Sequence, residues 1–182
     1  MSQKNLDPLS EKTIFKAKLF DVSEVGIKLK SGREVVHHVA KRRPTVCVLP
    51  LTKNNEVYLV SQYRYMLKKN SLELMAGFID AGEDPLTAAK RELDEETGIK
   101  AKNWKELMTV DMSASVFNAV SYLFLAQDLE QGIAHPEEEE DITVVKMPLE
   151  EAVEKVITGQ MTTTMSIIGI LLLDKLVKEK KI

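Results

Sequence analysis

The sequence predicts a mixed α/β domain built in layers, with an additional group of strands at its amino-terminal end. Three observations predict this class. Segments with the pattern of strands fill much of the first two thirds of the chain, a helix beginning at Asp84-Pro85 interrupts them, and two further helical segments follow the last strand. Strands with helices placed between and after them are typical of layered α/β proteins.

Length and composition fit one ordinary globular domain with a small appendage. The chain has 182 residues, of which 44% are hydrophobic and 29% are charged, close to the usual values. The net charge of -3 argues against nucleic acid as a partner, because domains that bind it usually carry a basic surface. The longest apolar run, SIIGILLL, is too short to span a bilayer, so no membrane partner is expected.

The single cysteine bears on the cellular compartment. Cys47 lies in the apolar run TVCVLPL and is expected to be a buried strand thiol. One cysteine cannot form an internal disulfide, and the first residues lack the apolar core of a secretion signal. Both features favour a reducing, cytoplasmic location.

Residues 1–43 are predicted to form a strand appendage. The segments TIFKAKLFDV, VGIKLK and EVVHHV have the composition and partial alternation of strands, with a turn at Ser31-Gly32. Two or three strands alone are marginally stable. The appendage should therefore pack on the main body or on a second copy of the chain.

Residues 44–182 are predicted to form the main domain. It begins with two apolar segments, PTVCVLPL and EVYLVSQYRY, whose link Thr52–Asn55 has the chemistry of a hairpin turn. WKELMTVDM, VSYLFLAQDL and ITVVKMP are three further predicted strands. Pro148 is predicted to open a helix that ends near Gly159, and a final helix runs from about Thr163 to Lys180.

The helix in the middle of the chain sorts its charged residues. Asp84-Pro85 supplies an N-cap and a first helical proline, and Gly98 supplies a stop. At 100° per residue, one face is predicted to carry Glu92, Glu95 and Glu96. Asp94 points away from it. The adjoining buried face consists of Leu86, Ala89 and Leu93.

Converging glutamates repel one another, and a divalent cation is the simplest compensation. Mg²⁺ and Mn²⁺ prefer carboxylate oxygens and often share them with substrate phosphates. The alternative interpretation is a solvated acidic helix face. For an isolated E-x-x-E-E pattern that alternative would be favoured, so the surrounding positions decide.

This stretch resembles the Nudix box, G-x5-E-x7-R-E-U-x-E-E-x-G-U, where U is a bulky aliphatic residue. The match has no departure and consists of Gly77, Glu83, Arg91, Glu92, Leu93, Glu95, Glu96, Gly98 and Ile99. Outside the box, the segment QYRY and a glutamate shortly before Ala76-Gly77 are similar to one branch of the family. That branch contains the ADP-ribose pyrophosphatases and nucleoside diphosphate sugar hydrolases.

The resemblance implies a Nudix α/β/α sandwich around a mixed β-sheet, and it implies a metal site. Glu92 and Glu96 would be the main ligands of Mg²⁺, with Mn²⁺ as a possible substitute. Glu95 and the backbone carbonyl of Ala76 would assist. Arg91 would orient the cluster and, with Glu95, would belong to the catalytic set.

The resemblance also implies substrate contacts on both parts of the chain. Arg64 would meet the diphosphate or the adjoining ribose, and Glu73 would belong to the same substrate region. His37 and His38 in the appendage are candidate contacts to the nucleobase. The alternative for both histidines is an ordinary packed or exposed strand residue.

The resemblance also implies a general base in a late loop, where the acidic run offers Glu137–Glu140, and the register on the following strand favours Glu140. The alternative is a solvated acidic loop. The branch often has S-P-G in an earlier loop, with an acidic residue shortly after it. This chain has Ser113-Ala114-Ser115 with no carboxylate following. We therefore expect that loop, including Ser115, to affect substrate choice rather than to supply the base.

The implied function is Mg²⁺-dependent hydrolysis of nucleoside diphosphate sugars such as ADP-ribose by a homodimer, giving a nucleoside monophosphate and a sugar phosphate. One alternative is a house-cleaning hydrolase of nucleoside triphosphates or RNA 5′ ends, which the appendage and QYRY disfavour. The other is a non-catalytic nucleotide-sugar sensor. The complete set of box carboxylates disfavours that second alternative.

Overall fold

The computed structural model describes residues 8–113, 115–135 and 141–182. The strands there are β1 (Pro8–Lys16), β2 (Phe20–Lys28), β3 (Glu34–Arg42), β4 (Thr45–Pro50), β5 (Glu56–Arg64), β6 (Lys69–Glu73), β7 (Met75–Phe78), β8 (Ile99–Asp111), β9 (Phe117–Asn118), β10 (Val120–Gln131) and β11 (Ile142–Pro148). The helices are α1 (Pro85–Thr97), α2 (Leu149–Ile157) and α3 (Thr164–Lys178). All three correspond to predicted helices. None of the helices in the described ranges is long and apolar enough to cross a membrane.

The chain divides into two compact units. The first consists of Met1–Pro44 and Val110–Val120, and the second of Thr45–Thr109 and Ser121–Ile182. The first unit therefore includes a segment from the middle of the chain that the sequence did not associate with the appendage. The functional division into residues 1–43 and 44–182 stays a prediction.

The first unit contains a four-stranded sheet in the order β1-β2-β3-β9. Its first three strands pair antiparallel, and the two-residue β9 pairs parallel with β3. The sequence placed the break between the first two strands between Val22 and Val25, and this position is wrong. The chain instead turns directly after Lys16, where the Ala17 N–H donates to the Phe20 carbonyl at 3.1 Å.

The second unit contains two sheets, in the orders β7-β4-β10-β8 and β11-β5-β6. β4 pairs parallel with β10 and antiparallel with β7, so the first sheet is mixed. The predicted hairpin between β4 and β5 is wrong. The turn between them exists, but the two strands diverge into different sheets and share only an isolated bridge, Leu51 to Val57.

Helices cover both faces of the mixed sheet. Val46 and Val48 of β4 belong to a buried cluster with Ala89 and Leu93 of α1. The alternate residue Leu49 faces the other way and lies against Gly169 of α3. Successive strand residues point to opposite faces, so α1 and α3 lie on opposite sides. The predicted α/β/α sandwich is confirmed.

Candidate active site

α1 carries the predicted site and has the predicted ends. The Asp84 carboxylate accepts hydrogen bonds from the backbone N–H groups of Leu86 and Thr87, both at 3.1 Å. The Thr87 hydroxyl also donates to Asp84, and these bonds, with the hydroxyl contributing most, hold the pKa of Asp84 below its usual range. Gly98 ends the helix at a φ of 68°, a conformation that favours a residue without Cβ.

β7 places Gly77 directly against Glu92. A Cβ at position 77 would lie 1.9 Å from Cδ of Glu92 and 1.9 Å from its Oε1. No larger residue therefore fits unless that carboxylate moves. The glycine at the start of the box and the glutamate on the helix thus specify one close contact.

Arg91 lies at the centre of the acidic cluster. Its Nε and Nη2 donate to the two oxygens of Glu83, each at 3.0 Å, which is a bidentate pair. Its Nη1 donates to Glu92 Oε1 at 2.7 Å and to Glu95 Oε2 at 3.1 Å. Nη2 also donates to the Phe78 carbonyl at 3.0 Å. One guanidinium therefore joins α1, the preceding turn and β7.

The contacts of Arg91 fix the charge of its main partner. The guanidinium donates to Glu83 and holds the pKa of that carboxyl below its ordinary value of 4.5. The carboxylates in turn raise the pKa of Arg91, with Glu83 contributing most. Both groups are therefore ionised at neutral pH.

Exposure sorts the acids on α1 only in part, because the Asp94 side chain, predicted to face solvent, is 29% exposed. Glu96 is 5% exposed and Glu92 is 9% exposed, whereas the Glu95 side chain is 38% exposed. Asp94 lies outside this group and pairs with Lys100 at 3.4 Å. Two glutamate carboxyl groups are therefore largely buried, and the carboxyl group of Glu95 is at the rim.

The glutamates fit a divalent cation by their chemistry. Within the described ranges, no three His, Cys, Asp or Glu side chains are already arranged to hold a metal ion. Instead, Nη1 of Arg91 bridges Glu92 and Glu95 and supplies counter-charge. Hard carboxylate oxygens are the ligands that Mg²⁺ and Mn²⁺ prefer.

Arg64 and Glu73 form a second ion pair. Arg64 ends β5 and Glu73 ends β6. Nε and Nη2 of the arginine donate to Oε1 and Oε2 of the glutamate at 3.1 and 2.8 Å. The Glu73 side chain is 9% exposed and the Arg64 side chain 43%. The structure thus brings these two predicted substrate residues together, with the carboxylate buried.

Ala76, the predicted source of a carbonyl ligand, lies in β7 next to Gly77. It pairs with Cys47 of β4 in antiparallel register. Cys47 is buried, which confirms the predicted strand thiol. Ala76 itself is exposed, in an edge strand of the sheet that α1 covers.

The remaining predicted contacts belong to the first unit. His37 and His38 are exposed neighbours in β3, so they point to opposite faces of the sheet. His38 lies 3.5 Å from Glu24. The Ser115 N–H donates to the Ser113 hydroxyl at 3.4 Å in a local turn.

The candidate base Glu140, with the rest of the acidic run, lies outside the described residues. The chain that leads toward it is attached to the end of α1, a contact that the sequence did not predict. The Gly132 N–H donates to the Gly98 carbonyl at 2.8 Å, and the His135 N–H donates to the Glu95 carbonyl at 2.9 Å. The only sequence signal of this contact was the presence of Gly98 and Gly132. A Cβ on Gly98 would lie 2.5 Å from the carbonyl carbon of Ile133, so the close approach requires a residue without a side chain.

Comparison with known proteins agrees with this geometry. Residues 41–164 match the NUDIX domain, and this match covers more than half of the chain. The protein therefore belongs to the Nudix family and is a Nudix pyrophosphohydrolase. Members of this family generally use a divalent metal ion, in agreement with the donor groups on α1.

Individual relatives extend the match to nearly the whole chain. The ADP-ribose pyrophosphatase of Mycobacterium tuberculosis is 29% identical over 175 residues, 94% of this chain and 84% of that protein. The ADP compounds hydrolase NudE of Escherichia coli is 30% identical over 145 residues, 78% of this chain and 76% of that protein. A crystal structure of an ADP compounds hydrolase matches with a TM-score of 0.87 at 24% identity, covering 99% of this chain and 98% of that one. This last likeness establishes the fold.

Proposed function

We propose that this enzyme hydrolyses the diphosphate bond of ADP-ribose and related nucleoside diphosphate sugars, with Mg²⁺ as its preferred cation. The observation that carries the proposal is the contact of the Arg91 guanidinium with Glu83, Glu92 and Glu95, within a complete box that runs from β7 through α1 to Ile99. The names of the relatives support an ADP-linked substrate. In the reaction, a water oxygen bonds to one phosphorus and the bridging oxygen leaves with the other phosphate. ADP-ribose would give AMP and ribose 5-phosphate.

The residues of α1 and β7 would hold the cation. Glu92 and Glu96 would be its main ligands, assisted by Glu95 and the carbonyl of Ala76. When bound, a divalent cation neutralises phosphate charge and lowers the pKa of a bound water. Arg91 would orient the glutamates through its contacts to their oxygens. The buried positions of Glu92 and Glu96 support this assignment, since buried charge requires compensation.

Arg64 would bind the diphosphate or the adjoining ribose. Its guanidinium is partly exposed and is aligned by Glu73. Oriented N–H donors stabilise phosphate charge that builds up as the bond breaks. His37, His38 and Ser115 would contribute to the recognition of the base and sugar.

Glu140 would take a proton from the attacking water. It lies outside the described residues, so its support comes from the chain that precedes it. The hydrogen bond from His135 to the Glu95 carbonyl attaches that chain to the helix of the metal ligands. Glu140 follows His135 by five positions, and a chain of that length spans at most about 18 Å.

A substrate panel tests the proposal. ADP-ribose, ADP-glucose, GDP-mannose and UDP-glucose would be incubated with the enzyme, with and without Mg²⁺, and the products would be separated by chromatography. We expect Mg²⁺-dependent release of AMP from ADP-ribose. Hydrolysis of none of the four by folded enzyme would contradict the proposal, and a clear preference for nucleoside triphosphates would favour the rival hydrolase.

We also propose that two copies of the chain associate through the amino-terminal strands. Every residue of β1 is exposed, including Leu9, Ile14 and Phe15, and exposed apolar patches commonly mark interfaces. Light scattering after size exclusion should give twice the chain mass of 20.5 kDa. Phe15→Glu should reduce it to one chain, and a monomeric wild type would refute the proposal. A cytoplasmic location is proposed from the single buried cysteine.

A further inference from the structure

A buried serine of α3 contacts the point where the chain passes from one sheet to the other. β6 ends at Glu73 in one sheet, and β7 begins at Met75 in the other. Leu74 is the one residue between them and is 2% exposed. Its backbone N–H donates to Oγ of Ser166 at 3.0 Å. Ser166 itself is 3% exposed.

This hydrogen bond meets a need created by the change of sheet. A buried backbone N–H requires an acceptor, and Leu74 lies outside both strands. The Ser166 hydroxyl supplies that acceptor from 92 positions further along the chain. The Thr163 hydroxyl also donates to Ser166 Oγ, at 2.8 Å. Two donors occupy both lone pairs of a hydroxyl oxygen, so the acceptor is held in one orientation.

Gly169 brings α3 close to the same residue. A Cβ at position 169 would lie 2.7 Å from Cδ1 of Leu74 and 3.4 Å from Cδ1 of both Leu49 and Leu123. The helix therefore packs tightly on the Leu74 side chain while Ser166 holds the Leu74 backbone. Two independent contacts from one helix fix a single position in the chain.

We propose that Ser166 is a positioning residue for the active site. The residue before Leu74 is Glu73, which holds Arg64 in a bidentate pair. Two residues after Leu74 is Ala76, the proposed carbonyl ligand. A single hydrogen bond from α3 thus fixes the position of Leu74. Leu74 lies between Glu73, which holds Arg64, and Ala76, the proposed cation ligand. This inference rests on the proposed function, and no part of the Nudix box includes Ser166.

The test compares two buried serines of the same unit. Ser166→Ala removes the acceptor at Leu74. Ser121→Ala is the matched control, because Ser121 is fully buried in β10 and accepts a hydrogen bond from Thr45 at 3.1 Å. Mn²⁺ affinity would be measured by electron paramagnetic resonance without substrate, and exchange of the Leu74 amide by hydrogen–deuterium exchange. Ser166→Ala should weaken Mn²⁺ binding by about 10- to 100-fold, the usual effect of losing a contact that supports a metal site, and should raise the KM for ADP-ribose.

Two further variants separate positioning from simple loss of stability. Ser166→Thr keeps the oxygen and should restore Mn²⁺ affinity and the protection of the Leu74 amide. Should Ser166→Ala fail to fold, Ser166→Cys replaces it, because sulfur is a weak acceptor. Ser121→Ala should lower the melting temperature but leave Mn²⁺ affinity and KM unchanged.

The outcomes are distinct from those that test the proposed function. Wild-type Mn²⁺ affinity in Ser166→Ala with a freely exchanging Leu74 amide would overturn the inference. Equal weakening in Ser121→Ala would also overturn it, because the effect would then be a general loosening of the core. Neither Mn²⁺ binding nor amide exchange needs turnover. An enzyme inactive on ADP-ribose would therefore refute the substrate while these measurements still decide the role of Ser166.

Discussion

Replacement of Gly77 by alanine should disable the active site while leaving the protein folded. The new Cβ would stand 1.9 Å from Cδ of Glu92, whereas non-bonded carbon atoms lie about 3.5 to 4.0 Å apart. The Glu92 carboxylate must therefore move by about 1.5 to 2 Å. Since a displacement of about 1 Å can cost about 100-fold in rate, we expect kcat to fall by at least that factor.

The backbone at Gly77 does not oppose the substitution. Gly77 pairs with Val46 within β7 and β4, and it is not among the residues of positive φ. The remaining cost is overpacking, about 1 to 3 kcal/mol. This cost is smaller than the free energy of unfolding of a typical domain, which is about 5 to 15 kcal/mol. The variant should therefore remain folded in circular dichroism at room temperature.

The assay combines kcat for ADP-ribose with Mn²⁺ affinity in the absence of substrate. The matched control is Gly26→Ala in β2, where a Cβ would lie 2.6 Å from Oγ of Ser10. That variant should keep wild-type Mn²⁺ affinity. Gly77→Ala with a kcat close to wild type would refute the reasoning, because the contact between Gly77 and Glu92 would then have no role in placing the carboxylate.

Three further predictions address the other parts of the site. Arg64→Lys keeps the charge but loses the bidentate contact to Glu73, so the KM for ADP-ribose should rise about tenfold or more; an unchanged KM in initial-rate assays would remove Arg64 from the substrate site. Glu140→Gln should lower kcat by about 10² to 10⁴, and a loss below about tenfold would assign the base to a neighbour in the acidic run. Glu83→Gln should lower the melting temperature at neutral pH, because it removes the ion pair that lowers the pKa of Glu83. The stability that this lowered pKa contributes is present above the ordinary pKa of the group. It is lost as pH falls through the folded-state value. The difference from wild type should therefore shrink as pH falls below the ordinary pKa of 4.5, and a constant difference would contradict the role of the Arg91 pair.

The features that the sequence predicted well are local ones. Asp84, Pro85 and Gly98 defined both ends of α1, because capping depends on residues within one turn. Helical periodicity separated Glu92 and Glu96 from Asp94 for the same reason. On the opposite face the prediction was less accurate. Leu86 is only half-buried while Ala88 is fully buried, since burial depends on the strands that the helix meets.

The features that the sequence did not predict depend on contacts between distant segments. The turn after β4 had the composition of a hairpin, yet β4 pairs with β10, which is more than seventy positions away. The two-residue β9 is too short to give a pattern. The bond from Leu74 to Ser166 spans 92 positions and has no motif. Sequence patterns report local geometry, whereas these contacts follow from the order of strands in the sheets.

The central claim is that the buried glutamates of α1 form the metal-dependent centre that cleaves the diphosphate. Its most direct test is the kcat of Glu96→Gln for ADP-ribose at saturating Mg²⁺, measured beside Asp94→Asn from the same helix. The account predicts a fold that is nearly intact in both variants, loss of most turnover in Glu96→Gln, and near-normal turnover in Asp94→Asn. Near-normal kcat in Glu96→Gln would contradict the metal assignment.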